Sequence, residues 1–222
     1  MNKTIDGRTT ARTKARYNRI APVYDLLESI MERLVFRKLR RGLWEQVSGD
    51  RMLEVGVGTG KNIPYYPEHS RVVAVDLSEK MLKRAKKRAK REGSEVELHH
   101  MDVQALSFED NSFDTAAGSF VFCSVPDPIL GLRELARVTS PKGKIILLEH
   151  MRPEWTWLGW LFDLINPLVV RLFGFNINRR TLDNVREADL KIKAAIDLSA
   201  AGIVKLLILR PRQECLGAGG GE

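Results

Sequence analysis

The stretch that decides the fold is RMLEVGVGTGKN, residues 51–62. An apolar run carrying one acid, Glu54, feeds three glycines in five positions, Gly56, Gly58 and Gly60. Glycine at a turn permits positive φ and lets backbone approach a ligand closely. A dinucleotide, a bare phosphate and a sulfonium cofactor would each explain glycines here. A dinucleotide site reads G-x-G-x-x-G and runs straight into a helix whose N-terminus holds the pyrophosphate. Here the spacing is G-x-G-x-G, and Lys61 occupies the place of the last glycine. A P-loop reads G-x-x-x-x-G-K-[ST], and Asn62 stands where the Mg²⁺-ligating hydroxyl belongs. Both phosphate readings fail at a named residue.

Working outward, RMLEVGV is a short buried strand, and NIPYYPE after the turn is broken by Pro64 and Pro67. RVVAVDL (71–77) reads as a second strand, and residues 79–92 as a helix capped by Ser78. EVELHHMD (95–102) alternates as a third strand, and a fourth lies around 114–120. DPILGLRELARVTS (127–140) is a helix opened by Pro128; PKG is a turn, and KIILLEHM (144–151) a fifth strand. After a mostly apolar segment, 155–175, TLDNVREADL (181–190) is a short helix. KIKAAIDLSA (191–200) and GIVKLLILRP (202–211) close the chain as a hairpin. Ahead of the turn, residues 25–47 space Leu26, Leu27, Ile30, Met31, Leu34 and Val35 as an amphipathic helix or two. This alternation predicts an α/β sandwich around a mostly parallel seven-stranded sheet with an antiparallel last strand and helices on both faces. Ligands in such sheets bind at the C-terminal ends of the strands, where the glycine turn falls.

Two acids narrow the ligand. Asp76 ends the second strand twenty positions after Gly56, where a carboxylate can accept both hydroxyls of a ribose. Asp102 follows the third strand, within reach of an adenine amino group. Glycine turn and paired acids make a site for an adenosine without phosphates, and S-adenosylmethionine fits it.

At this point the ordered segments LEVGVGTG, VVAVDLSEKML, MDVQAL, DNSFDTAAGSFVFCSVPDP and ELARVTSPKGKIILLEH resemble the successive motifs of class I methyltransferases, a Rossmann-like fold. The resemblance runs in register over about residues 17 to 210. YNRIAPVYDLLESIMERLVFRKLRR ahead of it, and the EH pair after strand five, look like the ubiquinone/menaquinone C-methyltransferase branch. FGFNINRRTLDNV draws the chain toward the small bacterial phosphatidylethanolamine N-methyltransferases within it. The resemblance implies that Gly56, Gly58 and Gly60, with Glu54, Thr59 and Asn62, form the methionine end of the cofactor site. Asp76 and Leu77 would meet the ribose, Asp102 and Val103 the adenine, and Ser119 and Phe120 would lie beneath the sulfonium. Tyr17 would cap the cofactor. It also implies a helical lid at 1–47, a methyltransferase domain at 48–210 with an inserted apolar lid at 155–188, and a flexible tail at 211–222.

Composition sets further expectations. The chain has 222 residues, enough for one full core. Its two cysteines, Cys123 and Cys215, read as reduced thiols of a cytoplasmic protein, and the polar N-terminus is no secretory signal. Most of residues 1–14 and the GAGGGE tail are expected to lie outside the fold. A net charge of +8 and a pI of about 9.6 suggest an anionic partner. Of the basic runs, 80–92 reads as a solvated helix face. Residues 25–47, with Arg37, Lys38, Arg40 and Arg41, could lie in the headgroup layer of an anionic membrane. WTWLGWLFDLINPLVVRLFGF (155–175) carries three of the four tryptophans but is interrupted by Asp163, Pro167 and Arg171, so it reads as a lid and interfacial contact, not a span. Nucleic acid is not an expected partner: the residues after strand four read SFVFCS, not an N/D-P-P-Y/F turn. The four histidines show no metal-ligand spacing.

Methyl transfer from a sulfonium is an in-line displacement, so the protein mainly positions and desolvates. An ammonium acceptor has no lone pair and must first lose a proton. His150, closing strand five, and Tyr24, on the lid helix, are the candidates for orienting it or relaying that proton. Arg179 and Arg180 could hold a lipid phosphate. A quinol acceptor, methylated at carbon, remains open.

Overall fold

The computed structural model describes residues 5–27, 32–172 and 174–212. The tail residues 213–222 and Cys215 lie outside the described residues, as do Ile30 and Met31. Helix α1 spans Gly7–Leu27, and a π-helical turn at Glu32–Phe36 runs into α2, Arg37–Trp44. The alternating body follows: β1 Arg51–Val55, β2 Arg71–Asp76, α3 Glu79–Glu92, β3 Glu97–His100, β4 Phe113–Ser119, α4 Pro128–Val138 and β5 Thr139–His150. Helices α5, Thr156–Leu172, and α6, Thr181–Glu187, precede the hairpin of β6 Lys191–Asp197 and β7 Val204–Arg210.

All seven strands form one sheet in the order β3-β2-β1-β4-β5-β7-β6. Pairings from β3 through β5 are parallel, and β7 runs antiparallel to both neighbours. The winding reverses at β1, which lies between β2 and β4, so the crevice at the C-terminal ends of β1 and β4 is the switch point. The central strands carry near-continuous apolar runs because both faces are covered: Ile145, Ile146, Leu147 and Leu148 of β5 are wholly buried.

The helices start and stop on local chemistry. Ser78 Oγ accepts the Met81 N–H at 3.2 Å, and α3 ends on Gly93 at φ +67°. Asp127 accepts the N–H groups of Ile129 and Leu130, with Pro128 in the first turn of α4. Only Met81, Ala85 and Ala89 of α3 are buried, so its cationic run is a solvated face.

Three expectations change. Residues 7–14 are helical and docked: Gln104 Nε2 donates to Thr10 Oγ1 at 3.2 Å, and Lys14 pairs with Glu79 at 2.8 Å. PKG is not a turn between elements but lies within β5, where the register jumps from Phe113↔Thr139 to Thr115↔Lys144. Residues 25–47, expected as an amphipathic helix or two, hold the end of α1 and α2 but also a π-helical turn at Glu32–Phe36 that no periodicity announces.

Candidate active site

The glycine turn opens one side of a cleft at the switch point. Gly56, Gly58 and Gly60 all adopt positive φ, +64°, +57° and +82°. Two of them show different reasons for lacking a side chain. A Cβ on Gly60 would stand 2.6 Å from Ile63 Cδ1 and 3.1 Å from Ala85 Cα, so this glycine lets α3 pack on the turn. A Cβ on Gly58 would meet only the Gly56 carbonyl, at 4.0 Å, so this glycine leaves open space to the cleft.

Asp76 stands beside that space. Its carboxylate accepts the Gly58 N–H at 2.8 Å and the Ser78 N–H at 2.7 Å. Burial pushes its pKa above the ordinary carboxyl value, while those two donors pull it back. Asp102 lies further along the same edge and accepts from Gln104 through both its backbone N–H and its side-chain amide. Leu77, Val103, Ser119, Phe120 and Thr59 also line the cleft, as the sequence implied.

Strand β4 ends at Ser119, and Phe120 then takes φ +58°, a conformation a bulky residue rarely adopts. Such strain costs about 1–3 kcal/mol and persists only where neighbours enforce it. Here they are identifiable. The Phe120 N–H donates to Leu148 O at 2.7 Å; Phe36 packs at 4.9 Å between ring centroids; His150 stacks at 6.2 Å. Glu149 fixes the next residues, its Oε1 accepting the Val121 and Phe122 N–H groups at 2.9 and 3.0 Å. Burial pushes Glu149 up to about 7.

Helix α1 closes the cleft. Tyr17 and Tyr24 line it, and the Tyr17 hydroxyl shares a hydrogen bond with Ser124 on the loop after β4. Asn18 Oδ1 accepts from Ser78 Oγ at 2.7 Å. Asp25 accepts from Thr59 Oγ1 at 2.6 Å and from Arg88 at 3.2 Å, fastening the helix to both glycine turn and α3.

Other expected site residues lie elsewhere. Glu54, Gly60 and Asn62 are a layer beneath the cleft. Glu54 accepts from Asn62 Nδ2 and the Tyr66 hydroxyl, and burial pushes it up to about 7. His150 is behind Phe120, not in the cleft wall; its Nε2 donates to Asn176 O at 3.0 Å, and burial lowers its pKa. Arg179 is spent on the loop, donating to Val125 O at 2.8 Å, and Arg180 is exposed, so neither reaches the cleft. Among the described residues none of α5 lines the cleft, whereas Thr13, Tyr17 and Tyr24 of α1 do.

Two cations in the wall were not foreseen. Lys61 pairs with Asp25 and Glu32 at 3.8 and 3.6 Å, and lies 5.4 Å from the Tyr24 ring centroid. Arg40, expected on a basic surface, is buried and lines the cleft, whereas Arg37, Lys38 and Arg41 are exposed. A signal was available: Leu43, Trp44 and Val47, at i+3, i+4 and i+7 from Arg40, are all apolar and mark the buried face. Glu149 was legible too, as an acid that directly follows the apolar run Ile145–Leu148.

Residues 53–147 match the family model described as "Methyltransferase domain". A demethylmenaquinone methyltransferase of Bacillus cereus is 32% identical over 172 residues, 71% of this chain and 72% of the relative. The chain belongs to the class I S-adenosylmethionine-dependent methyltransferases, in the ubiquinone/menaquinone C-methyltransferase branch. A phosphatidylethanolamine N-methyltransferase of Cereibacter sphaeroides is 39% identical over 104 residues, 46% of this chain; the match spans about half, 51%, of that relative. A SAM-dependent methyltransferase of Thermotoga maritima shares the fold, with a TM-score of 0.66 at 19% identity over 89% of this chain and 99% of that one.

The methyltransferase cleft fits the family's cofactor on its own geometry. Along the edge β3-β2-β1-β4 come Asp102, Asp76, the space at Gly58 and the β4 end, an order that accommodates adenine, ribose and methionine in turn.

Proposed function

We propose that this enzyme methylates the amine of phosphatidylethanolamine at a membrane surface. The observation that carries the reading is an exposed apolar face. On and beside α5, Trp155, Trp157, Trp160, Leu164 and Leu168 are 54–65% exposed. Leu26 and Leu34, in α1 and the π-helical turn, are each 75% exposed, and Arg37, Lys38 and Arg41 are exposed next in sequence. Tryptophan with leucine on one face and cations nearby is the composition of a helix that lies in the headgroup layer. Among the described residues no helix is long and apolar enough to cross a membrane, so the contact is peripheral.

Bound in the cleft, S-adenosylmethionine supplies a methyl group already activated by its sulfonium charge. The chain's own residues align the acceptor and exclude water: α1 closes the cleft through Tyr17 and Asp25, and Phe120, whose N–H donates to Leu148 O, forms its floor. Tyr24 is in the wall and can orient the amine. His150 is neutral near physiological pH, donates through Nε2, and acts through Phe120. The 39% identity to a phosphatidylethanolamine N-methyltransferase supports this acceptor. A second reading, C-methylation of a quinone precursor, is favoured by the longer match to a demethylmenaquinone methyltransferase.

Methyl-labelled cofactor offered with liposomes containing phosphatidylethanolamine and a demethylmenaquinone separates the two. Label in the phospholipid, lost when Trp157 and Trp160 are both changed to Asp, is the expected result. Label in the quinone alone would replace the acceptor.

A further inference from the structure

The acids on the cleft edge, Asp102 and Asp76, face the adenosine side, over β3 and β2. The methionine side, over β1 and β4, must receive a carboxylate. A buried carboxylate needs a cation whose N–H groups reach it without water between them. Two cations line the cleft. Lys61 is committed to the carboxylates of Asp25 and Glu32. Arg40 differs. Its Nε faces Glu32 at 3.2 Å, but its Nη1 donates to two neutral oxygens, Ser119 Oγ at 2.7 Å and Asn62 Oδ1 at 3.2 Å. Those acceptors are themselves fixed. Asn62 donates to Ser119 Oγ at 2.9 Å and is anchored by Glu54. The guanidinium carbon lies 5.6 Å from the Phe120 ring centroid, so the charge is held against the floor where β4 ends. Glu32 meets the charge at Nε, but the Nη1 edge meets only neutral oxygens, and a carboxylate there would add a second charge-assisted pair.

We propose that Arg40 binds the methionine carboxylate of the cofactor, with Ser119 and Asn62 setting the orientation of its guanidinium. The assignment rests on the cofactor reading above and deepens it. It also gives α2 a function: the helix delivers one arginine inward while its other cations stay outside.

The test compares two ligands by calorimetry. S-adenosylhomocysteine keeps the amino-acid end; 5′-methylthioadenosine keeps the adenosine and sulfur and has no carboxylate. Arg40→Met should weaken S-adenosylhomocysteine by roughly 10–100-fold, the size expected for a lost charge-assisted bond. It should leave 5′-methylthioadenosine binding unchanged. Arg40→Lys should recover part of the loss, since the charge returns without the planar fork. Equal weakening of both ligands would show that Arg40 only supports the fold, and overturn the assignment. So would unchanged binding of both ligands with a raised KM for the acceptor, which would move Arg40 to the acceptor side. Failure of the unaltered protein to bind either ligand would sink the cofactor reading itself.

Discussion

Replacing Glu149 with Gln should change how stability depends on pH, and the structure sets the size. Glu149 is wholly buried on β5, its Oε1 accepts two loop N–H groups, and its Oε2 has no hydrogen-bond partner among the described residues. Burial lifts its pKa from the ordinary 4.5 to about 7. The unfolded chain therefore releases this proton from 4.5 upward, while the folded protein holds it until about 7. Across that window the folded state binds more protons, so the stability Glu149 contributes falls as pH rises. At about 1.36 kcal/mol per pH unit the loss comes to about 3 kcal/mol, complete above pH 7. Glutamine keeps the accepting oxygen and cannot ionise. Relative to the unaltered protein, Glu149→Gln should gain about 3 kcal/mol between about pH 4.5 and 8. Glu54 shifts in the same direction as Glu149, and His150, whose pKa is lowered, gives stability that rises with pH toward 6.5. Both are present in each protein and cancel in the difference. Urea unfolding at about pH 4.5, 6 and 8 measures it. Parallel stability curves would refute the claim that this carboxyl is buried and uncompensated.

Two further perturbations address cofactor and lid. Asp76→Asn sets an amide against one of the N–H groups of Gly58 and Ser78 and removes a charged acceptor, so S-adenosylhomocysteine affinity should fall roughly 10–100-fold. Calorimetry showing unchanged affinity would take Asp76 out of the ribose site. Tyr17→Phe deletes the bond to Ser124 that spans the cleft, a loss of about 1 kcal/mol. Faster amide exchange through α1, with protection in the sheet intact, is the expected signature. Unaltered exchange would mean that Tyr17 does not hold the lid.

The sheet, the glycine turn and Asp76 could be read from sequence because each follows from a local rule. Strand runs, Ser78 and Pro128 mark their own elements, and the failed phosphate spacings at Lys61 and Asn62 remove competing ligands. The lid is legible only in part, because the sequence offers two, a helical one over 1–47 and an apolar one over 155–188. Hydropathy points to the tryptophan-rich segment 155–175 as the cover and leaves residues 1–14 outside the fold. In the folded protein α5 exposes its tryptophans, and Tyr17 and Tyr24 of α1 line the cleft. Helix α1 docks through Thr10, Lys14, Tyr17, Asn18 and Asp25, polar residues at intervals no apolar period reveals. Its Val23 and Leu26 are exposed, and Ala21 is the buried apolar residue it brings to the body among those described. A lid held this way differs physically from one held by a packed face. Each polar contact is worth only about 1 kcal/mol in exchange with water, so α1 can release the cleft without uncovering a core. Under the proposed function, a water-soluble cofactor and a lipophilic acceptor would both enter one crevice and need such an opening. The apolar surface of α5 would then be free to meet the layer from which the proposed acceptor comes.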